Sequence, residues 1–159
     1  MSLEKHIKHF LTDPQILQRY SEHTLASYKL DLTQFLNFTN HTKEDISLLS
    51  KRTCRQYLYF LEQKKYHKKS IHRHISSLRR LWSYLIEKEI TTHNPWEKLS
   101  LPKSNKTLPQ FLSTDKMTNF LDQIDTTSLA GQRNKMICEF LYGSGIRVSE
   151  LVNLNVTDI

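Results

Sequence analysis

Residues 69–89, KSIHRHISSLRRLWSYLIEKE, determine the predicted fold of the first part of the chain. Apolar side chains recur at helical spacing through this stretch and form one stripe, made of Ile71, Ile75, Leu78, Trp82 and Leu85. The opposite side of a helix that turns by about 100° per residue carries Lys69, Arg73, Ser76 and Arg80. The stretch therefore predicts an amphipathic helix that buries one face and presents cationic and hydroxyl groups on the other.

Apolar residues at helical spacing continue on both sides of this stretch. Residues 3–12, 21–38 and 51–65 predict three earlier helices, and Ser21 is a candidate N-cap for the second. A polar stretch occupies residues 40–45. Helical patterning resumes at Ser113, returns at residues 136–141 before the turn at Gly143–Gly145, and ends with a short segment at 148–154. The absence of glycine before Gly131 favours an all-α fold.

Prolines mark a boundary inside the chain. Asn94-Pro95 ends the helical pattern, and residues 101–109 have the basic, proline-bounded composition of an extended linker. We therefore predict a first domain at residues 1–100, a linker at 101–109 and a second region at 110–159.

The composition favours a polyanionic partner, since 23 Lys and Arg residues outnumber 16 Asp and Glu residues and the isoelectric point is near 9.4. No apolar run approaches the roughly 20 residues that span a bilayer, and the N-terminus lacks the apolar core of a signal peptide. These features predict a cytoplasmic protein. Cys54 and Cys138 lie in apolar helical patterns, so we expect both to be reduced and buried.

The charge is concentrated between residues 51 and 80, where ten Lys and Arg residues accompany one acid, Glu62. A solvated helix face usually mixes charges of both signs, whereas this one is almost entirely positive. The pattern therefore favours a surface that binds double-stranded DNA. The predicted contacts are Lys68, Lys69, Ser70, Arg73, Ser76, Arg79 and Arg80. An ordinary solvated face, a membrane surface and an acidic protein partner are the alternatives.

A second candidate site lies near the end of the chain, in the sequence YGSGIRVSEL at residues 142–151. Gly143 and Gly145 permit a tight turn between helices, and Arg147 precedes a predicted helix whose free N–H groups favour an anion. Glu150 is three residues further on and can orient the Arg147 guanidinium. The segment predicts a receptor for a phosphate group, although an ordinary surface Arg–Glu pair would have the same sequence.

This segment closely resembles the first conserved box of the tyrosine recombinases (the phage-integrase family), especially the Xer type. The resemblance extends over nearly the whole chain. Residues resembling the family's first long N-terminal helix are Ser21, Thr24, Tyr28, Asp31, Leu32 and Phe35. Residues resembling its basic DNA-contacting helix are Ser70, Arg73, Ser76, Leu78, Arg79, Arg80 and Tyr84. Asn94-Pro95 and Leu108-Pro109 resemble the exit from one domain and the entry to the next.

The resemblance implies a helical, SAM-like core-binding domain followed by the helical start of a catalytic domain. It implies that Arg147 coordinates the scissile phosphate while a tyrosine attacks to form a phosphotyrosyl link, with no metal or cofactor. It also implies double-stranded DNA and further recombinase protomers as partners, in a homo- or heterotetramer that acts in chromosome partition or plasmid resolution.

The family's remaining catalytic residues have no counterpart here. The sequence contains no His-x-x-Arg, all eight histidines lie at or before His93, and all seven tyrosines lie at or before Tyr142. We expect a truncated form that binds DNA without cleaving it, in which Met136, Phe140, Leu141 and Leu151 lack full packing partners and the second region is partly disordered or pairs with another copy. The alternatives are a stand-alone, non-catalytic DNA-binding or regulatory protein and a helical interaction module for an acidic protein.

Overall fold

A computed structural model describes residues 2–39, 49–102 and 111–158, which form helices and connecting turns without a strand. The chain divides into two compact units, Met1–Lys106 and Thr107–Ile159. Most of the predicted linker, and the polar stretch at 40–45, lie outside the described residues. No helix in the described ranges is both long enough and apolar enough to cross a membrane.

Five helices are described in unit 1: α1 (Leu3–Thr12), α2 (Pro14–Arg19), α3 (Glu22–Thr39), α4 (Lys51–Gln63) and α5 (Lys68–Glu87). Side chains cap several of their N-termini, where backbone N–H groups lack a partner within the helix. Ser21 Oγ accepts from the Thr24 N–H at 3.4 Å, and Ser50 Oγ accepts from the Thr53 N–H at 3.1 Å. The predicted helices at 3–12, 21–38, 51–65 and 69–89 are therefore confirmed, with bounds within two residues.

Helix α2 was not predicted, because Asp13-Pro14 was interpreted only as the end of α1. The same two residues also start α2. Asp13 Oδ1 accepts from the Gln15 N–H at 2.9 Å, and Pro14 occupies the first turn, where its missing N–H costs nothing. Asp13 thus ends α1 with an extended backbone conformation and caps α2 with its side chain.

The core of unit 1 contains an aromatic cluster between α3, α4, α5 and the segment that follows α5. Phe35 lies at its centre, with ring centroids 4.9 Å from Tyr57, 5.9 Å from Trp82 and 5.1 Å from Trp96, all in edge-to-face geometry. These four side chains are at most 1% exposed. Edge-to-face pairs place the positive ring edge against the negative face of the neighbouring ring, so the cluster also fixes the relative orientation of the helices.

The segment after α5 is part of this core although it is not helical. Asn94 Nδ2 donates to the Arg79 carbonyl at 3.1 Å, while Asn94 Oδ1 accepts from the Trp96 N–H at 3.1 Å. These bonds direct the Trp96 ring into the cluster. Further along, the Pro102 carbonyl lies 2.9 Å from His72 Nε2, so the ordered packing of unit 1 reaches the beginning of the predicted linker.

Unit 2 contains α6 (Thr114–Asp122), α7 (Leu129–Ser144), α8 (Val148–Val152) and a short 3-10 turn at Val156–Asp158. Helix α7 is longer than the predicted 136–141 segment, because Ser128 caps it and the turn residues Gly143 and Ser144 continue it. None of the side chains that the structure describes between residues 111 and 158 is buried. Met136 is 62% exposed, and Phe140, Leu141 and Leu151 are half-buried, in agreement with the expected lack of packing.

The two cysteines differ. Cys54 is fully buried in the core of unit 1, as predicted, whereas Cys138 on α7 is only half-buried because unit 2 has little interior.

Replacing Trp96 with Ala should destabilise unit 1 by about 3–5 kcal/mol, because the substitution leaves a cavity beside Phe35 and Trp82. Urea denaturation followed by the fluorescence of Trp82 measures this loss, since both tryptophans of the chain lie in unit 1. Tyr59→Ala is the matched control: Tyr59 is 61% exposed, and its removal should change the stability by less than about 0.5 kcal/mol. Equal effects of the two substitutions would contradict the proposed role of the residue 94–99 segment in the core.

Candidate nucleic-acid interface

Helix α5 has the predicted two-sided character. The apolar stripe faces inward, and its members are at most 2% exposed: Ile71, Ile75, Leu78, Trp82 and Leu85. On the other side, Lys68, Lys69, Arg73 and Ser76 are exposed, and Ser70 is half-buried. The first two and a half turns of the helix therefore present a cationic, hydroxyl-bearing surface.

The last two residues of the predicted contact set are used differently. The Arg79 guanidinium donates to the carbonyls of Trp96, Glu97 and Leu99 at 3.0, 3.4 and 3.3 Å, so it holds the segment after α5 against the helix. The Arg80 side chain is only 17% exposed and lies 2.9 Å from the Glu87 carboxylate. Both side chains therefore make polar contacts within unit 1 and stabilise its packing.

Arg73 combines exposure with a fixed position. Its side chain is 45% exposed, but its Nη1 atom lies 2.9 Å from Oδ1 and 3.1 Å from Oδ2 of Asp31 on α3. The same nitrogen lies 3.5 Å from the Ser27 carbonyl. One nitrogen of the guanidinium is therefore held by α3 while the group itself reaches the surface.

The Asp31 carboxylate is fully buried and binds three side chains of α5. In addition to Arg73, Ser77 Oγ donates to Oδ2 at 2.7 Å, and His74 Nδ1 lies 3.3 Å from Oδ1. His74 Nδ1 also lies 3.3 Å from the Tyr57 hydroxyl. Both hydrogen bonds to the Asp31 carboxylate end on Oδ2; among the described residues Oδ1 accepts none and has only the Arg73 and His74 nitrogens near it. Burying a carboxylate is costly unless opposite charges and donors surround it, so these contacts fix how α3 and α5 meet.

Burial lowers the pKa of His74 from the ordinary histidine value of 6.5; the Asp31 carboxylate opposes this effect, and the Arg73 cation adds to it. Burial likewise raises the pKa of Tyr57, and the negative charge of Asp31 adds to that shift. Neutral His74 is therefore the form that unit 1 favours.

Helix α4 carries a second cationic surface that the sequence interpretation did not separate from α5. Arg52, Arg55, Gln56 and Tyr59 line one shallow groove of about 330 Å³, and Tyr59 is 61% exposed. The spacing of three, four and seven residues places all four on one face of a helix. That spacing is visible in the sequence and indicates a separate cationic face on α4. A count of charges between residues 51 and 80 does not distinguish this face from the one on α5.

In the second candidate site the structure contains the predicted turn and the predicted contact between Arg147 and Glu150. Gly145 ends α7 in a left-handed conformation with φ of 68°, and its N–H donates to the Leu141 carbonyl at 3.0 Å. Glu150 accepts from the Arg147 backbone N–H at 2.8 Å and from its Nη1 at 2.9 Å. Glu150 thus orients Arg147, whose side chain remains 81% exposed.

Residues 7–89 match the family described as "Phage integrase, N-terminal SAM-like domain". The chain is 36% identical to tyrosine recombinase XerC of Anoxybacillus flavithermus over 151 residues, which cover 94% of this chain and 50% of that protein. It is 37% identical to tyrosine recombinase XerD of Oceanobacillus iheyensis over 159 residues, which cover 99% of this chain and 53% of that protein. The chain therefore spans about half the length of the curated relatives that it matches.

The fold is similar to that of the Tn1549 transposon integrase. The TM-score is 0.73 at 18% identity to the structure of that integrase in complex with transposon right end DNA, covering 100% of this chain and 49% of the other. It is 0.71, also at 18% identity, to the structure with circular intermediate DNA, covering 99% and 50% of the two chains. At this identity the similarity establishes the helical fold.

The lowered pKa of His74 predicts that unit 1 is less stable in acid. The unfolded chain takes up a proton on histidine near the ordinary pKa of 6.5, above the folded value, so the stabilisation is complete above that pH and is lost as the pH falls towards the folded pKa. Urea denaturation at pH values between about 7 and 5, followed by tryptophan fluorescence, should show the free energy of unfolding decreasing. His74→Gln should reduce this pH dependence because glutamine does not titrate. An unchanged pH dependence in the variant would rule out His74 as its source.

Proposed function

The chain belongs to the phage-integrase family of tyrosine recombinases, and we propose that it supplies the DNA-binding part of a site-specific recombinase. The observation that carries this proposal is the exposed cationic surface at the start of α5. Lys68, Lys69 and Arg73 lie there beside the hydroxyl of Ser76. Lys and Arg side chains neutralise phosphates, and an α-helix fits the major groove of B-DNA.

The solved integrase structures support the choice of ligand, since both contain DNA bound to a protein of the same fold. We extend duplex DNA to this chain as its partner. A cationic ridge that served only for solubility would be expected to carry exposed compensating acids. Residues 68–76 contain none, and the carboxylate that pairs with Arg73, that of Asp31 on α3, is buried.

We further propose that Arg147 is a catalytic arginine of the complete enzyme. Its guanidinium is exposed and oriented by Glu150, as required of a group that coordinates a scissile phosphate and stabilises the charge that develops in phosphoryl transfer. In that enzyme a tyrosine would attack the phosphate, and the strands would be rejoined through the phosphotyrosyl intermediate. These 159 residues contain no His-x-x-Arg and no tyrosine after Tyr142, so we propose that they bind DNA without cleaving it.

Assembly and cellular role extend the same proposal. We infer that the complete enzyme acts in the cytoplasm as a homo- or heterotetramer of recombinase protomers on DNA, in chromosome partition or in plasmid resolution. The relatives named XerC and XerD support this inference by their similarity to the chain. Neither a metal nor an organic cofactor is needed for the proposed chemistry.

Binding to duplex DNA should weaken steeply with salt. The affinity of the chain for a fluorescein-labelled duplex of about 30 base pairs, measured by anisotropy between about 50 and 200 mM salt, should fall linearly on logarithmic axes as counterions are released. Absent binding, or binding insensitive to salt, would exclude the proposed function and would favour an interaction module for proteins.

Single substitutions locate the surface. Lys69→Ala should reduce the magnitude of the logarithmic salt slope by about 1, because one phosphate contact is lost. Lys8→Ala removes an exposed lysine from α1 and is the matched charge control, with an unchanged slope expected. If Lys8→Ala reduced the magnitude of the salt slope more than Lys69→Ala did, the interface would lie elsewhere on unit 1.

Arg147→Ala should leave the affinity of this chain nearly unchanged and yet abolish recombination by a longer protein that contains these residues.

A further inference from the structure

The guanidinium of Arg73 is held on one side only. Its polar contacts within the described residues are all made by Nη1, to both oxygens of the Asp31 carboxylate and to the Ser27 carbonyl. Asp31 itself is 0% exposed, and Ser77 holds its Oδ2 at 2.7 Å, so the anchor is part of the rigid core. The fixed partner therefore determines the plane and direction of a side chain that is 45% exposed.

The opposite edge of the group remains available. A guanidinium presents two forks of parallel N–H donors, and occupation of Nη1 leaves the fork formed by Nε and Nη2. Two parallel donors match two adjacent acceptors, such as O6 and N7 of guanine in the major groove or two oxygens of a phosphate. A guanine edge and a phosphate thus offer the fork the same feature, a pair of neighbouring acceptor atoms.

The charge next to Arg73 favours the base over the phosphate. The Asp31 carboxylate lies 2.9 Å from Nη1 and compensates much of the positive charge, which weakens the attraction to a phosphate. The free fork keeps two parallel N–H donors, whose fixed direction suits the paired acceptors of a base edge. Lys68 and Lys69, by contrast, are exposed cations without a rigid fork, and they suit phosphates.

We propose that Asp31 is a positioning residue that holds Arg73 so that its Nε–Nη2 fork reads a guanine edge in the DNA. This inference rests on the proposed function, because it presumes that α5 faces duplex DNA. It assigns sequence recognition to a buried carboxylate that the DNA never touches, and it divides the α5 surface into cations that bind the backbone and one arginine that specifies a base.

Selection from a library of randomised duplexes tests the proposal, since it reveals the preferred site and the base preference together. The wild-type chain should enrich guanine at one position, and both Arg73→Lys and Asp31→Asn should lose that preference while retaining general affinity for DNA. With the selected duplex, replacing that guanine by 7-deazaguanine should weaken wild-type binding by about 5–150-fold, since a fork to one base gives about 1–3 kcal/mol of discrimination. For Asp31→Asn the same replacement should change the affinity by less than about 2-fold.

Ser77→Ala is the matched control for damage to the core. It removes the donor to Asp31 Oδ2 at 2.7 Å but leaves the contact between Asp31 and Arg73, so the guanine preference should persist even if stability falls. If Ser77→Ala loses the preference as completely as Asp31→Asn does, the effect comes from destabilisation, and the positioning role is wrong.

Two further outcomes separate this inference from the proposed function. If the wild type binds DNA with no guanine preference, or if a neutral methylphosphonate linkage rather than 7-deazaguanine removes the contribution of Arg73, the proposed function stands and the base-reading role fails. If the wild type binds no DNA, both proposals fail.

A measurement on the wild-type chain alone avoids the question of whether Asp31→Asn folds. The 15N relaxation of arginine Nε–H groups should give Arg73 an order parameter near 0.8, because Nη1 is held, while Arg55 on the exposed face of α4 should fall below about 0.6. Equal, low order parameters for Arg73 and Arg55 would show that Asp31 does not fix the fork and would overturn the proposal.

Discussion

The buried carboxylate of Asp31 is the constraint on which the rest of unit 1 depends. A charge placed in an apolar interior is stable only when several partners surround it, and α5 supplies them through Arg73, His74 and Ser77. These partners span more than one turn of α5, so the carboxylate sets both the position and the rotation of α5 on α3. The edge-to-face contacts of Phe35 with Tyr57 and Trp82 restrict the same orientation, and the carboxylate adds hydrogen-bond donors whose direction is fixed.

Because the rotation of α5 is fixed, one of its faces packs in the core and the other lies at the surface. The apolar stripe enters the aromatic cluster around Phe35, and the first turns of the helix present Lys68, Lys69 and Arg73 outward. Further along the helix, Arg79 and Arg80 serve unit 1 itself, through the carbonyls after α5 and through Glu87. One helix thus changes along its length from a surface suited to DNA to a structural element, and the fixed rotation makes that division possible.

Unit 2 depends on local interactions, in contrast to unit 1. The carboxylate of Glu150 binds the backbone and the guanidinium of Arg147, and Gly145 supplies the left-handed residue that ends α7. Such short-range contacts orient a side chain without a core, which explains how the Arg147 segment keeps its geometry although none of the described side chains of unit 2 is buried. The proposed phosphate receptor is therefore encoded almost entirely by ten consecutive residues.

The sequence by itself determined α1, α3, α4 and α5, the apolar stripe of α5, and the chemistry of the Arg147 turn, because helical periodicity and local capping act over a few residues. It also identified the cationic side of α5. It did not place Tyr57 or Trp96 in the core. It did not identify α2, because Asp13-Pro14 fits the end of one helix and the start of another equally well. Only the tertiary structure decided which cations reach the surface. Arg73 and Arg80 share one side of α5 in a helical projection, and Arg79 adjoins Arg80 in the sequence. The residues that bind Arg73, Arg79 and Arg80 are Asp31, Trp96 and Glu87, which lie 42, 17 and 7 residues away, and contacts at such separations follow from how the chain packs.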